Sequence, residues 1–269
     1  MNNKLQKISI ILPTLNEAKN LKILIPQIIE ELDTHKEDDF EVIVVDDGST
    51  DNTKDVIGKL NEEYSNIRLI NRKTEPSLPM SIWDGIENSK YDYVLWMDAD
   101  LSMPANTVKK LINKLCENSD SIVIGSRFSD GGAYKGILEL ENRSFVGAIL
   151  NVYKSNDTVL GMILSNVFNK VLRRIYKSNI TDITSGFIVG KKSYFKKEVF
   201  ENSSYGEYFI YLVNDIVINN INVIEIGYIC ETRRHGSSKT ATSLYQLIKR
   251  GYPYIRVARN IRKINEYRR

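Results

Sequence analysis

Few residues in this 269-residue sequence are of the types that build disulfide frameworks or histidine-rich metal centres. The chain has two cysteines and two histidines. Cys116 and Cys230 lie far apart and lack the paired spacing of a zinc site, and isolated cysteines are typical of a reducing compartment. His35 and His235 are too few and too widely separated for a histidine-rich centre. The sequence therefore excludes a disulfide-stapled secreted domain and a Cys/His metal domain.

Long apolar runs are also missing. No uninterrupted apolar segment approaches the roughly 20 residues of a membrane-spanning helix. The N-terminal residues lack the apolar core and small-residue cleavage site of a signal peptide. The net charge is only +3, and no base-reading motif accompanies the basic residues, so nucleic acid is not an expected partner. We expect a cytoplasmic protein, either free or peripheral at the cytoplasmic face of the membrane.

The first 125 residues alternate between strand-like apolar segments and helical periodicity. The predicted strands cover residues 8–12, 40–45, 67–70, 91–97 and 121–125. This alternation predicts βαβ units, and hence an α/β fold with a Rossmann-like, mainly parallel sheet flanked by helices. In such sheets ligands bind at the carboxyl ends of the strands. Polar residues at those ends are therefore the first functional candidates.

Asp98 and Asp100 are the most informative of these candidates, because they directly follow the apolar strand at residues 91–97. Unpaired ionised carboxylates are costly to bury. A divalent cation such as Mg²⁺ favours a few carboxylates together with substrate phosphates. From the spacing alone, the pair predicts either a cation site or a polar turn at a strand end.

Other strand ends carry polar residues as well. Asn16 follows the first strand and is predicted to cap the next helix. Asp46 and Asp47 end the second strand, where a carboxylate could accept hydrogen bonds from a ligand, or could cap the turn. Glu17 follows Asn16 and is favourably placed at a helix N-terminus.

The second half of the sequence is less regular. Residues 129–158 predict a long loop or lid, a helix is expected over about 159–176, and a further strand starts within residues 182–187. Residues 243–269 are predicted to form a basic amphipathic tail after a domain that spans residues 1–242. Such a tail could lie on an anionic membrane surface, or could pack on the domain with a solvated basic face.

Six motifs occur in an order that resembles the family-2 glycosyltransferases of the GT-A fold. They are Pro13-Thr14-Leu15-Asn16-Glu17; Val44-Val45-Asp46-Asp47-Gly48-Ser49-Thr50-Asp51; Met97-Asp98-Ala99-Asp100-Leu101; Gly125-Ser126-Arg127-Phe128; Asp182 with Thr184-Ser185-Gly186-Phe187; and Arg233 with Gly236, Ser238 and Lys239. The last three are similar to motifs of polyprenol-phosphate hexosyltransferases, especially dolichyl-phosphate mannose synthases. The resemblance implies inverting transfer of a hexose from a GDP-mannose-like or UDP-linked donor to a polyprenyl phosphate. A growing capsular or cell-wall glycan is the alternative acceptor, and a catalytically inactive nucleotide-sugar-binding protein is the alternative class.

The resemblance also implies roles for individual residues. The ligands of Mg²⁺ or Mn²⁺ would be Asp98, Asp100 and Ser102, the last standing where the family often has glutamine. The residues implied at the nucleotide sugar are Pro13, Leu15, Glu17, Asp46, Asp47 and Asp98. The implied catalytic residues are Arg127, Asp182, Arg233 and Lys239. The implied contacts to the acceptor phosphate are Ser165, Arg233 and Lys239, and an alignment that uses Arg143 and Ser144 is the alternative to Ser165. Asp182 could act as a base, or could cap the turn at residues 184–186.

Overall fold

The computed structural model describes residues 7–32, 39–134, 169–175, 179–231 and 252–262. The strands are β1 (Ile8–Thr14), β2 (Phe40–Asp46), β3 (Ile67–Asn71), β4 (Tyr93–Trp96), β5 (Ser121–Ser126), β6 (Ala133–Tyr134), β7 (Ile188–Lys191), β8 (Asn222–Gly227) and β9 (Ile229–Cys230). The helices are α1 (Ala18–Glu31), α2 (Thr53–Glu63), α3 (Leu78–Glu87), α4 (Ala105–Glu117), α5 (Lys197–Glu201) and α6 (Tyr208–Ile218). Residues 169–175 and 252–262 are also helical.

Seven strands form one sheet in the order β3-β2-β1-β4-β7-β5-β8. All its strand pairs are parallel except those that β7 makes with β4 and β5, which confirms the predicted mainly parallel α/β fold. Ile188, the first residue of β7, pairs with Trp96 at the end of β4 and with Ile124 in β5. The antiparallel direction of β7 therefore brings the turn that precedes it to the edge where β4 and β5 end.

Helices cover both faces of the sheet, so its central strands are buried on both sides. β1 and β2 have no exposed residue, which explains their near-continuous apolar sequences. One core layer packs Ile10 and Val42 against α1, and the other packs Ile11 and Val45 near α3. Packing on both faces of the sheet holds the strands in place, and with them the strand ends from which the polar loops begin.

The packing of α3 on β1 gives a testable prediction. A Cβ atom added at Gly85 would overlap Cγ2 of Ile11 and lie 3.2 Å from Cγ2 of Val45. Ile11 is β-branched and fully buried, so it has little freedom to move aside. Alanine gains about 1 kcal/mol in helix propensity, but overpacking costs about 1–3 kcal/mol. We expect Gly85→Ala to lower the free energy of unfolding, measured in urea, by up to about 2 kcal/mol.

Gly58 in α2 provides the matched control. Nothing lies within 4 Å of a Cβ added there, so only the propensity gain remains. Gly58→Ala should stabilise the protein by about 0.5–1 kcal/mol. Stabilisation of similar size by both substitutions would contradict the close approach of α3 to β1.

The described part of the predicted basic tail packs on the domain. Val257, Ala258 and Ile261 are buried in the same core layer as Ile11, while Arg256 and Arg259 are exposed. None of the described helices is both long enough and apolar enough to cross a bilayer. The boundary between residues 242 and 243 stays a prediction.

Candidate active site

The loops that follow β1 and β2 are joined by the side chain of Asn16. Its amide oxygen accepts hydrogen bonds from the backbone N–H groups of Thr50 at 2.7 Å and Asp51 at 3.3 Å. Its own backbone N–H donates to Oγ of Ser49 at 2.8 Å. The prediction that Asn16 caps α1 is wrong, because Glu17 takes the cap position. The left-handed backbone of Asn16, with φ of 61°, is a conformation that asparagine tolerates, and its side chain serves the neighbouring loop instead.

Asp51 binds the N-termini of two helices. Its Oδ2 accepts from the N–H of Ala18, the first residue of α1, at 3.1 Å. Its Oδ1 accepts from the N–H of Thr53, the first residue of α2, also at 3.1 Å. Burial alone would raise the pKa of Asp51, but the hydrogen bonds from Thr53 and Ala18 together lower it. Asp51 therefore stays ionised and fixes both helices to the loop edge.

Asp46 and Asp47 are both buried, and the carboxylate of each contacts other residues of the chain. Oδ1 of Asp46 accepts from the N–H of Ser49 at 3.0 Å, which caps the turn. Asp47 forms an ion pair with Arg72, and its Oδ2 accepts from the N–H of Ser77 at 2.6 Å. The turn-capping alternative is thus observed for Asp46, and contact of either residue with a nucleoside stays a prediction.

Arg72 is a buried residue at the candidate site that the sequence analysis did not single out. Its side chain is only 4% exposed. Besides the ion pair with Asp47, its Nε donates to Oδ2 of Asp84 at 2.7 Å and its Nη2 to Oγ1 of Thr74 at 2.8 Å. The available signal was its position directly after β3, at the same sheet edge as the other strand-end residues.

The remaining predicted nucleotide contacts of this region lie beside these loops. Pro13 is buried in β1 opposite Val45 of β2. Leu15 and Glu17 are half-buried, and Oε2 of Glu17 accepts from Nδ2 of Asn20 at 2.5 Å. The fold thus places all three next to the linked loops, where their contact with a nucleotide stays a prediction.

Asp98 and Asp100 stand in a tight turn at the end of β4. Asp100 is buried and Asp98 is half-buried. Oδ1 of Asp100 accepts from the N–H of Ser102 at 2.9 Å, and Leu101 between them has φ of 66°. The backbone oxygen of Ser102 accepts from the N–H of Glu231 at 2.9 Å. The polar turn that the sequence offered as one alternative is therefore formed.

The same turn also fits a divalent cation. Its two carboxylates supply oxygen ligands, which Mg²⁺ prefers. Among the described residues there is no group of three or more His, Cys, Asp or Glu side chains suited to hold a metal ion. A site of one or two carboxylates completed by substrate phosphates is the usual arrangement for Mg²⁺. The hydroxyl of Ser102 stays a predicted ligand.

The side chains of Tyr208 and Cys230 lie near this turn and are both neutral. Oη of Tyr208 accepts a hydrogen bond from Nε1–H of Trp96 at 3.0 Å. Burial, and secondly the charge of Asp98, raise the pKa of Tyr208 well above its usual value. Burial raises the pKa of Cys230 to about 12, with Arg127 lowering it and Asp100 raising it. Both groups therefore remain protonated at neutral pH.

Arg127 and Asp182 form a buried ion pair where β5 ends and the chain turns towards β7. Asp182 is fully buried and the Arg127 side chain is 15% exposed. The pair is bidentate, with Nε to Oδ2 at 2.7 Å and Nη2 to Oδ1 at 2.8 Å, and the N–H of Arg127 also donates to Oδ2 at 3.1 Å. Oδ1 accepts from the N–H of Thr184 at 3.3 Å. The turn-capping alternative for Asp182 is thus observed.

Several predicted residues lie outside the described part of the chain. These are Ser165, Arg233 and Lys239, together with residues 135–158 of the predicted loop. Their roles stay predictions. The structure brings the other predicted residues, from Pro13 to Asp182, to one edge of the sheet.

Comparison with known proteins provides an independent finding. A family model described as "Glycosyl transferase family 2" matches residues 9–199. A dolichol-phosphate mannosyltransferase of Pyrococcus furiosus is 30% identical over 235 residues, which are 87% of this chain and 59% of that protein. A poly(ribitol-phosphate) beta-N-acetylglucosaminyltransferase of Staphylococcus aureus is 28% identical over 80% of this chain and 65% of its own length. The chain thus spans less than two thirds of either relative.

Solved structures show the same fold. Glucosyl-3-phosphoglycerate synthase from Mycobacterium tuberculosis, crystallised with Mn²⁺, UDP and phosphoglyceric acid, matches with a TM-score of 0.60 at 17% identity. The match covers 96% of this chain and 78% of that one. At this identity the likeness is one of architecture.

Proposed function

Because this chain belongs to glycosyl transferase family 2, we propose that it transfers a hexose from a nucleotide-diphosphate sugar to a polyprenyl phosphate with inversion. The similarity to a dolichol-phosphate mannosyltransferase over most of this chain supports a lipid phosphate as acceptor. The donor is a GDP-mannose-like sugar or a UDP-sugar.

The observation that carries the proposal is the order of polar groups along one sheet edge. In the sheet order β2-β1-β4-β7-β5, the linked loops with Asp46 come first and Asp98 and Asp100 come next. The Arg127–Asp182 pair follows, at the turn into β7. A nucleotide sugar lying along this edge would have its nucleoside over β1 and β2 and its diphosphate over β4. Its sugar and the acceptor would lie towards Arg127.

The leaving nucleotide gains negative charge as the glycosidic bond breaks. Bound Mg²⁺ or Mn²⁺ would neutralise that charge as a Lewis acid, and Asp98, Asp100 and Ser102 would hold the ion. Structural neighbours crystallised with UDP and either Mn²⁺ or Mg²⁺ support a divalent ion. Asp100 is fixed for this task by the hydrogen bond from Ser102.

The pairing of Asp182 favours an acceptor that needs no base. A phosphate acceptor is already largely ionised, since its second pKa is about 6, and needs orientation and charge neutralisation instead. Asp182 is fully buried, and both its oxygens accept hydrogen bonds from Arg127. We infer that it orients the Arg127 guanidinium towards the reacting groups. Arg233, Lys239 and Ser165 would contact the acceptor phosphate.

A second candidate acceptor is a growing glycan. It is favoured by the relative that is named as acting on poly(ribitol-phosphate). A sugar hydroxyl would need a base, and the buried pairing of Asp182 argues against that role. An inactive nucleotide-sugar-binding protein is the remaining alternative.

A donor and acceptor panel tests the proposal. The protein is assayed with GDP- and UDP-sugars against undecaprenyl phosphate, dolichyl phosphate and glycan oligomers, with the lipids presented in anionic vesicles. We expect transfer to at least one lipid phosphate. Transfer only to glycans would overturn the lipid acceptor, and nucleotide-sugar binding without turnover would favour the binding protein. The vesicle-bound fraction of protein in the same samples tests a peripheral membrane location, which the exposed Arg256 and Arg259 support.

A further inference from the structure

The turn that carries Asp182 is held from one side by Glu225 of β8. Oε2 of Glu225 accepts from the N–H of Thr181 at 2.8 Å. Its Oε1 accepts from Oγ1 of Thr181 at 2.7 Å and from the N–H of Asp182 at 3.1 Å. One carboxylate thus fixes the two residues on which the position of the Asp182 side chain depends.

Asn169 holds the same turn from the other side. It belongs to the helical segment 169–175 and is only 2% exposed. Its Nδ2 donates to the backbone oxygen of Thr181, and its Oδ1 accepts from the N–H of Ile183 at 3.2 Å. An amide side chain can both donate and accept, so this one residue closes the turn on either side of Asp182.

We propose that Asn169 and Glu225 are positioning residues that set the Asp182 carboxylate and, through it, the Arg127 guanidinium for sugar transfer. Part of this inference rests on the proposed function, because the role of Arg127 in transfer is itself proposed. The geometric part does not, since the contacts to the turn are independent of any substrate.

The expected effect is on turnover rather than on nucleotide binding. A displacement of about 1 Å in a group that orients reactants costs about 100-fold in rate. Asn169→Ala should therefore lower kcat by about 10- to 100-fold. The Kd for nucleotide should stay within about twofold of its original value, because the loops after β1 and β2 are tied to each other through Asn16 and Ser49. For Glu225 we expect the alanine variant to lose more kcat than the glutamine variant, because glutamine keeps one oxygen as an acceptor.

A spectroscopic readout separates positioning from general destabilisation. The Nε–H of Arg127, which donates to Asp182 at 2.7 Å, should give a protected NMR signal, assigned by its loss in Arg127→Lys. In Asn169→Ala this signal should shift or broaden. The matched control is Leu172→Ala, since Leu172 is fully buried in the same helical segment. It should lower thermal stability but leave the signal and the kcat of the folded protein unchanged.

Two results would overturn the inference. One is an unchanged Arg127 signal in Asn169→Ala; the other is an equal loss of kcat in Asn169→Ala and Leu172→Ala at a temperature where circular dichroism shows both to be folded. If the unmodified protein transfers no sugar in the panel, the proposed function fails, and the NMR comparison alone still decides whether Asn169 positions the ion pair.

Discussion

Replacing Asp100 by alanine should abolish metal-dependent sugar transfer. The substitution removes a buried carboxylate at the end of β4, and with it the proposed negatively charged ligand of the metal ion. Lewis-acid stabilisation of a leaving group is worth several kcal/mol, which corresponds to a loss on the order of 10³-fold in kcat. The effect should be larger than for Ser102→Ala, because a hydroxyl is a weaker ligand than a carboxylate and carries no charge.

The Asp100→Asn variant distinguishes the role of the charge of Asp100 from the role of its hydrogen bond within the turn. The asparagine oxygen can still accept from the N–H of Ser102, a bond of 2.9 Å in the structure, so the backbone of the turn should survive. The charge is lost in both variants, and both should fail to bind Mn²⁺ in the presence of UDP or GDP, as measured by electron paramagnetic resonance. Asp120→Ala is the control, because Asp120 is 82% exposed and pairs only at the surface with Lys191. Full activity of Asp100→Asn would refute the metal assignment.

The pattern of apolar residues in the sequence could predict those strands that are buried along their whole length. β1 and β2 are buried on both faces, so their apolar runs mark them without ambiguity. The direction of β7 could not be predicted, because an apolar pattern reads the same in either direction. The structure starts β7 at Ile188, after the predicted start within residues 182–187. In the turn before it, Oδ1 of Asp182 accepts from the N–H of Thr184, and the hydroxyl of Ser185 donates to the backbone oxygen of Gly125 in β5.

The same reasoning explains which site residues were found. The polar residues at strand ends pointed to Asp46, Asp98 and Asp100, because a parallel sheet brings its strand ends to one edge. This pattern could not locate Asn169 or Glu225, whose partner Thr181 lies 12 and 44 residues away in the sequence. Such pairings exist only once the chain is folded. Asn16 was misassigned for a related reason, since local helix capping was preferred to a partner loop more than 30 residues away.

The largest expected loss of stability follows from Asp182→Ala. The substitution removes both oxygens of a bidentate ion pair and leaves the Arg127 guanidinium, 15% exposed, without that partner. Removing one member of a buried pair costs about 3–5 kcal/mol. A urea titration should show this loss as a lower midpoint with an unchanged slope. Asp215→Ala is the control, because its pair with Lys196 is partly exposed and should contribute less than about 1 kcal/mol.

A double substitution shows what the buried pair is for. Replacing both partners of a buried ion pair by apolar residues of similar volume is often neutral or stabilising. Arg127→Met with Asp182→Leu should therefore recover much of the stability that Asp182→Ala loses. If Arg127 acts on the reacting groups, this stable double variant should transfer no sugar, because the Arg127 guanidinium is no longer present to stabilise the charge that develops there. If the double variant recovers both stability and transfer, the ion pair is purely structural. If it recovers neither, Glu225 and Asn169 cannot hold the turn without Asp182.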